Sequence, residues 1–390
     1  MSISKSGTGT TVSHTAADMS RWTGRAEPFE SARARYWYQI AQPYAFDSTS
    51  QQNGQRIGLV GFACDQGVRR NQGRVGARAA PPLIRQALAA LPVIAELQQR
   101  YEGQLPTLLG DAGDIHCHDN DDFAERTLEK AQVKYADKIS DIIQRGGLPI
   151  GLGGGHAIAY GSFLGLWQAL SSETDQPTND VNNIESNVEN DVKNNVESHV
   201  ESHVESHVES HASTMPSIGV INFDAHLDIR QSDVATSGTP FRQIAEHLDE
   251  QDQPYHYCCI GVSRFSNTAA LFDRAEQLGV HIISDEDCTN KKWKKIAAQI
   301  ENFINEVDVV YLTIDMDCLP SSVVPGVSAP AAYGINLAFV ERAVKLIMAS
   351  NKVRMADIAE INPTFDVDGR SCKVAARLLA TIIEQHLLLV

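Results

Sequence analysis

Val220-Ile221-Asn222-Phe223-Asp224-Ala225-His226-Leu227-Asp228 decides how this 390-residue chain is read. Its largely apolar start has the pattern of a strand buried on both faces of a parallel sheet. It ends in Asp, His and Asp at alternate positions. Alternate residues of an extended chain point to the same side. Where the chain curls beyond the strand, all three side chains can meet one ion. Two carboxylates and an imidazole suit manganese, zinc or iron better than Cu(I). Alone, the stretch also describes a strand end capped by polar groups, so the metal reading needs partners elsewhere.

Two other strand ends supply them. The apolar run 148–152 leads into Gly153-Gly154-Gly155-His156, where glycines let the backbone turn sharply and bring the histidine close to a neighbour. The run 307–314, the most apolar of all, ends in Asp315-Met316-Asp317. In open parallel sheets ligands gather at strand carboxyl ends near a switch point. His156, Asp224, His226, Asp228, Asp315 and Asp317 hold too many carboxylates for one structural zinc. They suit a two-metal site, in which shared carboxylates hold ions about 3.5–4 Å apart and hydroxide becomes available at neutral pH.

The rest of the chain fits this frame. Apolar runs at 56–62, 107–110, 256–261, 280–283 and 353–361 bring the expected strands to about eight. Helical patterns separate most of them, including 81–96, 122–145, 268–278, 291–305 and 337–349. This predicts an α/β domain with a mostly parallel sheet and helices on both faces. Residues 1–55, polar with scattered aromatics, are expected to be a tail and surface arm, and 56–390 a single domain. An insertion at about 171–215 interrupts it. From Ile184 an apolar residue recurs every fourth position, and the last units repeat Glu-Ser-His-Val. A period of 4.0 drifts around a helix and cannot stay against one surface. The segment therefore reads as low-complexity and exposed.

A formal net charge of −16 makes nucleic acid and anionic membrane poor partners. No run approaches the roughly 20 apolar residues of a membrane span. The polar start of the chain reads as lacking a signal peptide. Seven scattered cysteines without a C-x-x-C pair favour a reducing compartment, so the cytoplasm is expected. A homo-oligomer is also expected. Arg69, Arg70, Arg74 and Arg78 lie among glycines in the segment 65–78, which reads as a solvated loop or as an anion-binding loop beside the site.

From about residue 56 to the carboxyl end, the insertion aside, the chain resembles the ureohydrolase family, which includes arginase and agmatinase. GGGHAIAYG (153–161), DAHLD (224–228) and DMDCLP (315–320) look like its three signatures. The resemblance implies a three-layer arginase-like fold and two Mn2+ ions per subunit. It places His156 and Asp228 on one ion, His226 and Asp317 on the other, and Asp224 and Asp315 between them. Glu360, within DIAEINP (357–363), then looks like the carboxylate that takes the substrate amidine.

Arginases carry Asp where Gly155 stands, and a catalytic-loop His where TSGTPF (236–241) places Phe241. With GVRRN (67–71) and SRFSN (263–267), these departures resemble the branch that hydrolyses N-formimidoyl-L-glutamate to L-glutamate and formamide in histidine breakdown. Ala157 departs from that branch, which favours Glu there. Such a substrate is a small dianionic amidine without a free ammonium, so its site should present arginine, which grips carboxylates bidentately. Arg264 is the first candidate, with Arg69 and Arg74 for the second carboxylate. Asp317 is expected to shuttle the proton to the leaving amine, since Phe241 cannot. Alternative readings are an agmatinase or guanidino-acid hydrolase, told apart by urea release, or an inactive metal-binding regulator working through its histidine repeat. The intact set of six ligands argues against the last.

Overall fold

Ile221 and Phe223 pack in one apolar cluster and Ile218 and Val220 in another, because successive side chains of a strand face opposite ways. The same alternation separates Ile57 and Leu59 from Val60 and Phe62. A sheet covered on both faces needs strands apolar on both, which is why these segments read as near-continuous apolar runs.

The computed structural model describes residues 11–46, 55–117, 126–174 and 215–390. Residues 175–214, most of the expected insertion, lie outside the described residues. The strands are β1 (Val12–Thr15), β2 (Gln42–Pro43), β3 (Ile57–Ala63), β4 (Leu109–Cys117), β5 (Leu148–Gly153), β6 (Ile218–Phe223), β7 (His256–Val262), β8 (His281–Ser284), β9 (Val309–Asp315) and β10 (Val353–Ala359). They form one open sheet in the order β1-β4-β3-β5-β10-β9-β6-β7-β8, with β2 beside β4. β1 runs antiparallel to β4, and the remaining pairs are parallel. The chain builds outward on one side through β3 and β4, and on the other through β6, β7 and β8. It returns to fill the middle with β9 and β10. The neighbours β5, β10, β9 and β6 are therefore the strands whose carboxyl ends carry His156, Glu360, Asp315 and Asp224.

Helices Ala80–Ala89, Trp293–Asn305, Leu337–Ala349 and Arg370–Leu389 cover one face. Helices Thr127–Gln144, Ile158–Thr174, Pro240–Glu250 and Ala269–Gln277 cover the other. This is the expected three-layer architecture, with the short β1 and β2 added to the eight strands foreseen. The helix expected over 81–96 is two, Ala80–Ala89 and Ala95–Arg100, with Pro92 between them; proline lacks the N–H that would carry a helix onward. Among the described residues no helix is long and apolar enough to cross a membrane. The seven cysteines are buried thiols.

The segment expected as a surface arm sends Trp22 and Trp37 into the core, 5% and 0% exposed. Trp22 Nε1 donates to Asp111 Oδ2 at 2.8 Å, and Arg85 bridges Asp111 at 2.9 Å and Asp114 at 2.6 Å. Those pairings carry β4 beyond its expected end at 110, through a buried Asp111 and a half-buried Asp114. Removing one member of such a buried set costs about 3–5 kcal/mol.

In the closing helix, burial pushes Glu384 up to about 7; Lys345 opposes this, and Glu341 and Glu96 add to it. Between its ordinary 4.5 and 7 the folded chain keeps a proton that the unfolded chain has released. That contribution is complete below 4.5 and lost as pH rises through 7. Glu384→Gln is therefore expected to stabilise the fold by about 1 kcal/mol at pH 8, discounted for partial exposure, and hardly at pH 5. Denaturant midpoints at the two pH values check this; equal gains at both contradict it.

Candidate metal centre

The apolar runs of β5, β6 and β9 stop at one place, and their polar ends meet there. His156, Asp224, Asp228 and Asp315 offer ligand atoms within 4.8 Å of one another, and Asp224, His226 and Asp317 form a second such group. His156 Nδ1 lies 3.1 Å from Oδ2 of Asp224, of Asp228 and of Asp315. His226 Nδ1 lies 3.4 Å from Asp224 Oδ1 and 3.1 Å from Asp317 Oδ2. Asp224 thus gives one oxygen to each group. Asp315 enters the first group through Oδ2, while its Oδ1 accepts from the Asp317 N–H at 2.8 Å.

The alternate spacing has a local cause. Asp224 Oδ1 accepts from the His226 N–H at 2.6 Å, as Asp315 accepts from Asp317. In each case an aspartate bends the chain just past its strand and carries the next ligand inward. Asp228 has φ +48° and Glu360 φ +67°. Such left-handed conformations cost of order 1–3 kcal/mol each and cluster at functional sites.

Glu360 N–H donates to the Gly154 carbonyl at 2.8 Å, and Glu360 Oε1 accepts from His156 N–H at 2.7 Å. Glu360 Oε2 is buried and has no hydrogen-bond partner among the described residues. Gly155 leaves no room for a side chain, since a Cβ there would stand 2.5 Å from Val68 Cγ2 and 3.1 Å from Glu360 Oε1. The Phe241 ring meets the His156 ring edge to face at 5.3 Å.

The site holds more negative charge than its imidazoles balance. Burial, then the charges of Asp317 and Asp224, push Asp315 well above the usual carboxylate range. Burial and Asp224 push Asp228 up to about 6. Burial also raises Asp317. Burial opposes ionisation of Asp224 as well, but the two histidines outweigh it and hold that carboxyl low. For His156, burial pulls downward and Asp315, Asp224 and Asp228 lift it well above its usual value. Buried acids facing one another at these distances call for cations. An all-oxygen and imidazole donor set in two groups sharing one carboxylate fits two divalent ions of the manganese class.

Beside His226 opens a cavity of about 700 Å3 whose lining includes Ser263, Phe265, Asp285, Glu286 and Tyr333. Arg264 is at its margin, its side chain 68% exposed, 3.4 Å from Glu286 and stacked over Phe265. Arg74 donates to the carbonyls of Val327 at 2.6 Å and Ser328 at 3.0 Å and lies over Phe365. Arg69 is exposed at the end of helix Gln66–Arg70. The six ligands and Glu360 thus come together, while the contacts of Arg264 and Arg74 are with Glu286, Phe265, Val327, Ser328 and Phe365.

Sequence reasoning missed two supporting residues. Asn222 donates to Asp224 Oδ2 at 3.0 Å, and Thr313 Oγ1 is 3.1 Å from His156 Nε2; both are fully buried. Their signal was a polar residue interrupting an apolar strand two positions before a ligand aspartate.

The Arginase family model matches residues 55–183 and 199–384. A formimidoylglutamase from Psychrobacter cryohalolentis is 79% identical over 377 residues, covering 97% of this chain and 99% of that protein. One from Ralstonia nicotianae is 38% identical over 371 residues, 95% and 97% of the two chains. The Bacillus subtilis formimidoylglutamase structure superposes with TM-score 0.69 at 22% identity, covering 93% of this chain and 95% of that one. A Trypanosoma cruzi formiminoglutamase structure with Mn2+ gives 0.65 at 24% identity, covering 88% and 96%.

Proposed function

The chain belongs to the arginase family, and from that premise we propose that it hydrolyses N-formimidoyl-L-glutamate to L-glutamate and formamide, in histidine breakdown, with two Mn2+ ions. The observation that carries the reaction type is the junction of six metal-ligating side chains with a buried carboxylate, Glu360, that has one oxygen left to accept. The relative at 79% identity supports the choice of substrate. His156 and Asp228 would hold one ion, His226 and Asp317 the other, with Asp224 and Asp315 between them. When bound, such ions would make hydroxide available at neutral pH and offset the crowded carboxylates.

The protein's own groups do the rest. Glu360 Oε1 is occupied by the His156 N–H, so Oε2 is the acceptor for an amidine N–H. Burial pushes Glu360 up to about 7, and a cationic amidinium beside it favours the carboxylate form. This holds the formimidoyl carbon over the ligand groups. As the bond from that carbon to the glutamate nitrogen breaks, the nitrogen must gain a proton. We assign that proton to Asp317, whose Oδ1 is buried and without a hydrogen-bond partner among the described residues. Phe241 offers no proton and instead packs the His156 ring. Gly155 keeps a side chain away from Glu360.

The two substrate carboxylates call for cations at the cavity. We assign the outer one to Arg264, which on substrate entry exchanges Glu286 for the ligand, with Arg69 and Arg74 as weaker candidates for the other. Arg264→Ala is expected to raise KM about 10-fold with kcat little changed. Equal kcat/KM for the variant and the wild type at moderate salt removes Arg264 from the site. Buried thiols support a reducing, cytoplasmic setting. The whole reading is tested with Mn2+ and a panel of formimidoylglutamate, agmatine and guanidino acids. Formamide release from the first supports it, and urea release from another overturns it.

A further inference from the structure

Beneath the metal centre lies a buried acid that the reaction scheme leaves unused. Asp357 sits inside β10, fully buried, directly beside Thr313 of β9 in the parallel register. Neighbouring strands run about 4.8 Å apart, so the two side chains stand side by side on the same face. Asp357 Oδ2 accepts from Ser162 Oγ at 2.5 Å and from the Tyr311 hydroxyl at 2.5 Å. Its Oδ1 is buried with no hydrogen-bond partner among the described residues. Gly151 of β5 makes the space: a Cβ there would stand 2.7 Å from Asp357 Cβ and 2.2 Å from the Tyr135 hydroxyl.

We propose that Asp357 is a positioning residue that acts through Thr313 to fix the His156 ring for metal binding. A threonine hydroxyl has one proton and two lone pairs. Thr313 is a side-chain hydrogen-bond partner of the Asp357 carboxyl; with the proton given to that acid, a lone pair is left to accept from His156 Nε2, 3.1 Å away. His156 then carries its proton on Nε2, and Nδ1, the nitrogen facing Asp224, Asp228 and Asp315, presents its lone pair to the ion. Without the acid the Thr313 proton can turn toward Nε2, which favours the opposite tautomer and places a proton where the metal must bind. Carboxylate partners behind ligating histidines act this way, and their loss typically weakens metal binding 10- to 100-fold. Here a hydroxyl is interposed because the acid sits on the neighbouring strand.

The proposal rests on the two-metal reading, and metal binding without substrate tests the two separately. The full chain is titrated with Mn2+, free ion being followed by electron paramagnetic resonance, as wild type, Thr313→Val, Thr313→Ser, Asp357→Asn and the Val/Asn double variant. Wild type should bind two ions; failure there sinks the metal reading itself. Thr313→Val and Asp357→Asn should each weaken one of the two sites about 10- to 100-fold, with near-ultraviolet circular dichroism unchanged. Thr313→Ser, which keeps the hydroxyl, should retain tight binding of both ions, and the double variant should be no worse than Thr313→Val alone. Two ions held at wild-type affinity in Asp357→Asn, or losses that multiply in the double variant, overturn the relay. Should Thr313→Val fail to fold, the Asp357→Asn and Thr313→Ser titrations decide it by the same criteria.

Discussion

Asp224→Ala will lose bound Mn2+ and, with it, about 10^3-fold or more in kcat/KM, since metal ions supply several kcal/mol of charge stabilisation in such reactions. Asp224 is the one side chain shared by both ligand groups, with Oδ2 3.1 Å from His156 and Oδ1 3.4 Å from His226. Its removal takes an oxygen from each group at once. It also frees the His226 N–H that Oδ1 holds at 2.6 Å, so the loop carrying the second histidine loses its anchor. Asp224→Asn keeps the shape and one acceptor but loses the charge, and should fall between alanine and wild type. Metal content after gel filtration, read beside circular dichroism, checks this; two tightly bound ions and full turnover in Asp224→Ala would refute the assignment.

Glu360→Gln should leave metal content unchanged while lowering kcat/KM by about 30- to 4,000-fold, the range for removing one partner of a buried charged pair, about 2–5 kcal/mol. The glutamine side chain fits the same space and can still accept from His156 N–H. It cannot offer a charged acceptor at the second position. Because an amidine bound in the ground state is also bound in the transition state, the loss should appear chiefly as a raised KM, with kcat less affected. The left-handed backbone at Glu360 is unchanged by this substitution, which makes it a cleaner probe than alanine. A variant with wild-type kcat/KM would move the amidine contact elsewhere.

The strands and the ligands were legible because both leave periodic marks. Apolar runs ending in Asp-x-His-x-Asp, Asp-x-Asp and Gly-Gly-Gly-His lie at strand ends, and the sheet brings those ends together. What could not be read depends on contacts between distant residues. Trp22 meets Asp111 across 89 positions, so a polar leading segment hid a core tryptophan. The strand order, with β10 and β9 inserted between β5 and β6, is set by helix crossings that no local pattern records. Thr313, Asn222 and Asp357 each looked like a stray polar residue in an apolar strand, and their partners come from neighbouring strands or the histidine loop. Arg264 shows the converse. Its motif pointed to a substrate anion, but the pairing with Glu286, in the loop after β8, belongs to the tertiary structure.

The central claim joins two quantities, metal stoichiometry and product identity, and one titration reads both. Metal-free chain is loaded stepwise with Mn2+, and formamide and glutamate are measured from N-formimidoyl-L-glutamate at each step. Turnover should rise to a plateau at two equivalents per chain, with formamide and glutamate formed in equal amounts. A plateau at one equivalent, or full loading without formamide, would contradict the account.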